Sequence, residues 1–153
     1  MGLLERLYPG LLGEENDEDG DSSVISIWRS GFESGSQRIL DLISKGTTVE
    51  QNLEAASIIK STGAKIYANY MIGLPWETKE DIQATARMAD EIKAEMPSWS
   101  FFTPYPGCGL GQKCIDKGWS LLDRNNYNRY PSGRKVKGVD YKYLNKVLGG
   151  FRE

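Results

Sequence analysis

The chain has 153 residues, a net charge of −2 and an apolar fraction of 39 %, values typical of one ordinary globular domain or of part of one. It contains no histidine and two cysteines. These counts exclude Ser–His and Cys–His catalytic pairs, imidazole metal ligands, a four-thiolate zinc site and an iron–sulfur cluster held by three cysteines of this chain.

The first 23 residues differ in composition from the rest. Leu3–Leu12 is apolar and is interrupted by Pro9-Gly10, whereas residues 13–23 carry most of the acidic excess and are predicted to be a solvated linker. No stretch approaches the length of a membrane span, and the start lacks the layout of a signal peptide. We therefore expect a cytoplasmic protein with no membrane partner. The mildly basic remainder indicates an ordinary mixed surface, with no evident nucleic-acid interface.

The body after residue 23 alternates strand and helix signals. Strands are predicted from apolar and β-branched runs at Val24–Trp28, Lys65–Ile72 and Ser98–Phe102. Alternation with short turns is typical of parallel βαβ units with right-handed crossovers. Three such strands are too few to close a barrel by themselves.

Three helices are predicted between these strands from capping residues and helical spacing. From the capping residue to the terminating residue, the first runs from Ser36 to Gly46 and the third from Thr78 to Pro97. The second runs from Thr48 through about Ser61 and is ended by Gly63. The second opens with the capping box Thr48-x-x-Gln51, and the third with the weaker Thr78-x-x-Asp81. After residue 107 the chain is turn-rich and ends in a helix with one apolar side, formed by Tyr143, Leu144, Val147, Leu148 and Phe151.

Ligand-binding groups of parallel α/β folds lie in the loops that follow the strands. The sequence predicts three such loops, at residues 31–36, 69–78 and 103–107. Each also fits a plain structural role: a tight turn with a helix cap around Glu33, a simple turn at Gly73, and core positions for Trp76 and Tyr105. The two cysteines are interpreted as structural or incidental thiols.

Four consecutive segments of the body nevertheless match one family in order, spacing and sequence. They are Gly31–Leu40, Lys45–Glu50, Met71–Thr78 and Thr103–Gly107. Together they resemble the second half of a radical S-adenosylmethionine (radical SAM) barrel, of the class that often carries an upstream cobalamin-binding domain. The resemblance implies an α/β fold with a partial, TIM-like barrel of parallel βαβαβ units, equivalent to strands 4–6, and a C-terminal helical tail. It divides the chain into an N-terminal segment (1–23), a partial barrel (24–107) and a C-terminal extension (108–153).

The cofactors of that family are SAM and a 4Fe-4S cluster, held by a C-x3-C-x2-C loop. SAM binds the open iron, and its reductive cleavage gives a 5′-deoxyadenosyl radical. This sequence lacks the loop and its three cysteines, and it also lacks the histidine motif with which many upstream domains bind cobalt. The resemblance therefore implies no metal ligand and no catalytic residue in this chain.

The resemblance carries over the part of the family that cradles SAM. The implied SAM-binding residues are Glu33, Ser34, Lys45, Asn69, Gly73, Leu74 and Pro75. Glu33 is implied to contact the amino acid part or the ribose, Lys45 to pair with the carboxylate, and Asn69 to hydrogen-bond the ribose hydroxyls. The backbone of the Gly-Leu-Pro turn would flank adenine. For Lys45, the alternative is a solvated charge at a helix end.

The resemblance therefore implies a fragment of a radical SAM iron–sulfur enzyme that is inactive alone. The alternative is a non-catalytic α/β scaffold or interaction protein, which pairs with a partner through its open sheet edges. Unpaired edges predict self-association or a complementing N-terminal half in either case. We also expect Glu33, Lys45 and Asn69 to face one cavity, because the carboxyl ends of parallel strands lie at the same edge of a sheet.

Overall fold

The structure, a computed structural model, describes residues 26–123 and 127–150. Its elements in chain order are β1 (Ile27–Glu33), α1 (Gln37–Leu42), α2 (Val49–Ser61), β2 (Lys65–Ile72), α3 (Lys79–Ile92), β3 (Met96–Phe101), α4 (Gly109–Asp116) and α5 (Tyr141–Gly149). The apolar segment and acidic linker assigned to residues 1–23 lie outside the described residues. No helix within the described ranges is long and apolar enough to cross a membrane.

The three strands form one parallel sheet in the order β1-β2-β3. In register, Gly31 of β1 lies opposite Asn69 of β2, and Asn69 lies opposite Ser98 of β3. Helices α1 and α2 connect the first two strands, and α3 connects the second to the third. The predicted α/β class with parallel βαβαβ units is confirmed, and the second strand has the predicted bounds.

Alternation along β2 separates the two faces of the sheet. Ile66, Ala68, Tyr70 and Ile72 are fully buried, whereas the residues between them are less so. The first three pack in one cluster with side chains of α2 and α3, among them Ile59. The helices therefore cover one face of the sheet, and the opposite face carries Asn69.

Capping chemistry sets the starts of the two long helices as the sequence predicts. Thr48 Oγ1 accepts the N–H of Gln51 at 3.2 Å, and Gln51 Oε1 accepts the N–H of Thr48 at 2.9 Å. Thr78 and Asp81 form the same reciprocal pair at the start of α3. Ser36 occupies the N-cap of α1, but its side chain makes no capping hydrogen bond.

The first strand is longer than its prediction. The sequence pattern predicts Val24–Trp28, of which residues 24 and 25 lie outside the described residues, but β1 continues to Glu33, which lies opposite Tyr70. Residues 31–33 are therefore strand residues and not part of the following loop. Burial still alternates here, with Ser30 and Phe32 buried, but Arg29, Ser30 and Gly31 give no apolar alternation in the sequence.

Two helix ends also differ from the prediction. The third helix ends at Ile92, because Lys93 adopts the left-handed conformation with φ 47°. Pro97 does not end this helix; it lies within β3, which is an edge strand of the described sheet and tolerates a missing N–H. The first helix ends at Leu42, before Gly46.

The chain after residue 107 packs onto the carboxyl ends of the strands. Leu144 and Leu148 of α5 lie in a cluster with Ile72 and Phe101, which confirms the predicted C-terminal helix; Phe151 lies outside the described residues. Helix α4 stands in the region predicted to be only turn-rich, and its buried Cys114 packs in a third cluster with Ile39, Leu74, Phe102 and Val136.

Candidate functional site

A cavity of about 880 Å³ lies against the face of the sheet that carries Asn69. Its polar lining from the strands comes from Glu33, Asn69, Ser98 and Ser100. Asn69 lies in the middle strand, so its amide is near the centre of this face. The cavity continues past the ends of the strands to Tyr105 and Arg129.

The backbone at Glu33 turns its side chain back over the sheet. Glu33 has a positive φ of 62°, which is unusual for a residue with a side chain. A Cβ atom added at Gly31 would lie 2.7 Å from Glu33 Oε1 and 3.2 Å from Lys45 Nζ. The two charged groups therefore lie above Gly31, the residue paired with Asn69.

Lys45 reaches this point from the segment that follows α1. Its Nζ lies 3.6 Å from Glu33 Oε1, and the two side chains are 27 % and 26 % exposed. The backbone N–H of Lys45 donates to the carbonyl of Leu40 at 2.9 Å, which fixes the start of the side chain. A partly hydrated pair at this separation is weak, so both charges can exchange partners. The structure thus places Lys45 beside Glu33, which lines the cavity with Asn69, although Lys45 itself is not among the lining residues.

Ser34 lies elsewhere. Its side chain is fully buried, and its hydroxyl is 3.0 Å from the hydroxyl of Thr85 on α3. It also accepts the N–H of Ser36 at 3.1 Å. These contacts fasten the turn between β1 and α1 to α3, and Ser34 does not line the cavity that Glu33 and Asn69 share.

Gly73, Leu74 and Pro75 line a second cavity of about 670 Å³, together with residues of α5. The N–H groups of Gly73 and Leu74 donate to Glu77 Oε2 at 2.5 and 3.1 Å. The Leu74 side chain is buried. The structure does not bring this turn to the cavity of Glu33 and Asn69, so the implied set of seven residues is divided between two places.

Glu77 was missed by sequence reasoning. Burial raises the pKa of its carboxyl to about 7, although hydrogen bonds from Gly73 and Leu74 act in the opposite direction. Its other oxygen, Oε1, is buried and has no hydrogen-bond partner among the described residues. The sequence signal that could have identified Glu77 is its position four residues after Gly73, the glycine that follows β2.

The cysteines do not form a metal centre. Cys108 is exposed and Cys114 is buried, and both are free thiols. Within residues 26–123 and 127–150, no group of three or more histidine, cysteine, aspartate or glutamate side chains is arranged to hold a metal ion. The residues present therefore do not fit a 4Fe-4S cluster, which needs three thiolates in this family's arrangement.

Comparison with known proteins finds relatives of several activities. The chain is 32 % identical over 123 residues to the anaerobic magnesium-protoporphyrin IX monomethyl ester cyclase of Rubrivivax gelatinosus, and 35 % identical over 121 residues to an uncharacterized methyltransferase of Pyrococcus horikoshii. It is 31 % identical over 86 residues to the tRNA-2-methylthio-N(6)-dimethylallyladenosine synthase of Chlorobium chlorochromatii. No protein-family model matches the chain.

These matches cover most of this chain but a small part of each relative. They include 80 %, 77 % and 55 % of this chain, in the same order, and 22 %, 26 % and 19 % of the relatives. The chain thus spans about a quarter or less of the length of the relatives it matches.

Proposed function

The chain belongs to the radical SAM superfamily, and from this premise we propose that it is the part of a radical SAM enzyme that holds S-adenosylmethionine. Glu33, Lys45 and Asn69 are the proposed binding groups. The observation that carries the proposal is that these three residues, which are far apart in sequence, lie together on one face of the sheet.

The chemistry of the three side chains fits SAM. Lys45 supplies a cation for the carboxylate, Glu33 an anion for the ammonium group, and Asn69 an amide for ribose hydroxyls. The existing pair of Lys45 and Glu33 supports this assignment, because SAM offers each of them a partner of opposite charge. The pair is partly hydrated, so exchanging one partner for another costs little.

The proposed share of this chain in the reaction is binding and orientation. The cluster would supply the electron that cleaves SAM, and the two cysteines do not fit it, so no step passes through this chain's thiols. The relatives have different named activities: one is a cyclase of magnesium-protoporphyrin IX monomethyl ester, and another is a tRNA-2-methylthio-N(6)-dimethylallyladenosine synthase. We therefore assign only what a common SAM site requires, without a reaction type.

The cluster-binding half is the proposed partner. β1 is an edge strand of the described sheet, and Ile27 at its start is 50 % exposed. An unpaired parallel edge is a template for a further strand, and the relatives, of which the matches cover only 22 % and 26 %, have further residues to supply one. We expect Ile27→Lys to weaken association with such a half in size-exclusion chromatography. Ser57→Lys, which places the same charge on an exposed site of α2, is the control.

Calorimetry with SAM tests the binding groups. In a fusion of this chain to a cluster-binding half, Lys45→Ala is expected to weaken binding by about 1.5–3 kcal/mol, and Asn69→Ala by about 0.5–1.5 kcal/mol. Lys142→Ala, an exposed lysine on α5, is the control. The isolated chain should bind SAM weakly, because the contacts to iron are missing. Equal affinities of Lys45→Ala and Lys142→Ala would refute the proposed site and favour the scaffold alternative.

A further inference from the structure

Residues 127–130 are fastened to the carboxyl end of β3. The N–H of Phe101 donates to the carbonyl of Arg129 at 3.2 Å, and the hydroxyl of Thr103 is 2.9 Å from the carbonyl of Asn128. Tyr127 packs edge-on against Tyr105, with ring centroids 4.8 Å apart. The backbone of Arg129 therefore has a defined place at the mouth of the 880 Å³ cavity.

Arg129 gives this end of the cavity a positive charge that no described carboxylate neutralises. Arg129 is an exposed residue among those that line the cavity, and its guanidinium lies 5.8 Å from the ring centroid of Tyr105. The other charged lining residue is Glu33, and Lys45 is already 3.6 Å from its carboxylate. Among the described residues, no carboxylate lies within salt-bridge distance of Arg129. The charge balance therefore favours an anionic ligand.

The wall around this guanidinium is aromatic and apolar. Tyr105, Tyr130 and Leu110 line it, and the Tyr130 side chain is 74 % exposed, so a face of its ring is available for a ligand. Aromatic rings bind flat ligands through stacked or edge contacts, and they do so with little loss of conformational entropy.

We propose that the Arg129 end of the cavity is the substrate subsite, and that the substrate is an aromatic molecule bearing a carboxylate or phosphate group. The anion binds the guanidinium of Arg129, and the ring packs against Tyr130. This inference rests on the proposed function in one respect, because it assumes that the Glu33 end of the same cavity holds SAM.

Four small probes separate the two parts of this proposal in NMR titrations at pH 7 of the 153-residue chain. These are 2-naphthoate and 2-naphthyl phosphate, which distinguish the two anions, 2-naphthol, which lacks the anion, and cyclohexanecarboxylate, which lacks the aromatic ring. We expect at least one aromatic anion to bind about tenfold more tightly than either control probe. Binding should shift the amide signals of Asn69, Met71 and Tyr105.

Two variants test whether Arg129 and Tyr130 cause the tighter binding of the aromatic anions. In Arg129→Gln, the aromatic anions and 2-naphthol should bind with affinities within about twofold of each other. In Tyr130→Leu, the same should hold for the aromatic anions and cyclohexanecarboxylate. The matched control is Arg29→Gln, because Arg29 also lies over a tyrosine, at 4.9 Å from the Tyr67 ring, but does not line the cavity. Circular dichroism establishes that each variant is folded.

The NMR titrations test the substrate subsite without SAM, so the subsite and the proposed SAM site can fail separately. If neither aromatic anion binds more tightly than the control probes, or if Arg129→Gln and Arg29→Gln bind alike, the subsite is wrong. If the anion preference depends on Arg129 while Lys45→Ala leaves SAM affinity in the fusion unchanged, the subsite stands and the proposed function fails. Lys45→Ala should leave the affinity of 2-naphthoate within about twofold, since Lys45 pairs with Glu33 and is not among the residues that line the cavity.

Discussion

The hydroxyl of Ser36 donates a 2.6 Å hydrogen bond to Oδ1 of Asp81, which ties the N-cap of α1 to the first turn of α3. The other oxygen of Asp81 accepts the N–H of Thr78 at 2.8 Å and also binds the Arg38 guanidinium. One carboxylate therefore completes the capping box of α3 and holds α1 in place. Because α1 lies between Glu33 and Lys45 in the chain, the placement of both charges depends on this contact.

Asp81→Ala is expected to lower the free energy of unfolding by about 2–4 kcal/mol, since it removes a helix cap and several bonds to one mostly buried carboxylate. Urea denaturation measures this effect. Glu91→Ala on the exposed side of α3 should stay within about 0.5 kcal/mol of the parent. A similar effect of the two variants would show that Asp81 does not hold α1 to α3.

The same carboxylate should give the protein an acid-sensitive contribution to stability. Burial alone would raise the pKa of Asp81, but hydrogen bonds from Arg38, Ser36 and Thr78 hold it well below its ordinary value of 3.8. The stabilisation is therefore present above pH 3.8 and is lost as the pH falls through the lower, folded-state pKa. Urea denaturation of the parent and Asp81→Asn should give curves that converge at low pH. Curves that remain equally separated down to pH 2 would contradict this assignment.

Glu77 should have the opposite pH dependence. Burial raises its pKa from 4.5 to about 7 in the folded protein, so between these values the folded state binds more protons than the unfolded one. Its contribution to stability therefore falls as the pH rises from about 4.5 to 7. Glu77→Gln keeps an acceptor for Gly73 and Leu74 but does not titrate. Relative to the parent, it should become more stable by about 1–3 kcal/mol between pH 5 and 8, as measured by urea denaturation.

The control for this measurement is Glu80→Gln, which changes an exposed glutamate in the first turn of α3. Parallel stability curves for Glu77→Gln and the parent would mean that Glu77 is ionised in the folded protein at all these pH values.

The isolated chain should not assemble a 4Fe-4S cluster. Two thiols, one of them buried in α4, cannot replace the three cysteines that the family uses. Anaerobic reconstitution followed by iron analysis and visible absorption is the measurement, with Cys108→Ser as the comparison for adventitious iron. A stoichiometric cluster that survives in Cys108→Ser would show that other ligands had been overlooked.

Local rules predicted much of the fold, because α2, α3 and α5 start with side chains that cap their own backbone. The reciprocal pair of Thr48 and Gln51 fixes the first residue of α2 without help from the rest of the chain. Ser36 shows where this reasoning ends: its hydroxyl binds Asp81, 45 residues away, instead of capping α1. When a side chain has two available hydrogen-bond partners, tertiary packing determines which one it binds, and the local sequence pattern carries no information about that packing.

The candidate site was predictable only in part for the same reason. Glu33 and Asn69 could be placed together because parallel strands end at one edge and alternate between faces. Ser34 follows Glu33 directly, yet its hydroxyl turns to Thr85 on the covered side of the sheet. Arg129 carries no local signal, since it reaches the cavity through backbone contacts of a turn with the distant Phe101.

Two glycines in the segment from β1 to α1 should respond very differently to alanine. A Cβ at Gly35 would lie 2.3 Å from the carbonyl oxygen of Ala84, which is fixed backbone of α3. Gly35→Ala is therefore expected to cost about 2–4 kcal/mol of unfolding free energy. A Cβ at Gly31 would meet only the ends of the Glu33 and Lys45 side chains, which can move, so Gly31→Ala should cost less than about 1 kcal/mol.

Gly31→Ala should instead act on binding, because it displaces the two charged groups from their position beside Asn69. In the fusion with a cluster-binding half, it should weaken SAM binding by about 1–2 kcal/mol, less than the loss of the Lys45 charge itself. Urea denaturation and calorimetry on the same samples separate the two effects. Normal SAM affinity in a well-folded Gly31→Ala protein would mean that SAM does not use Glu33 and Lys45 in the arrangement described, whereas a large loss of stability would mean that the pair above Gly31 is more rigid than its exposure indicates.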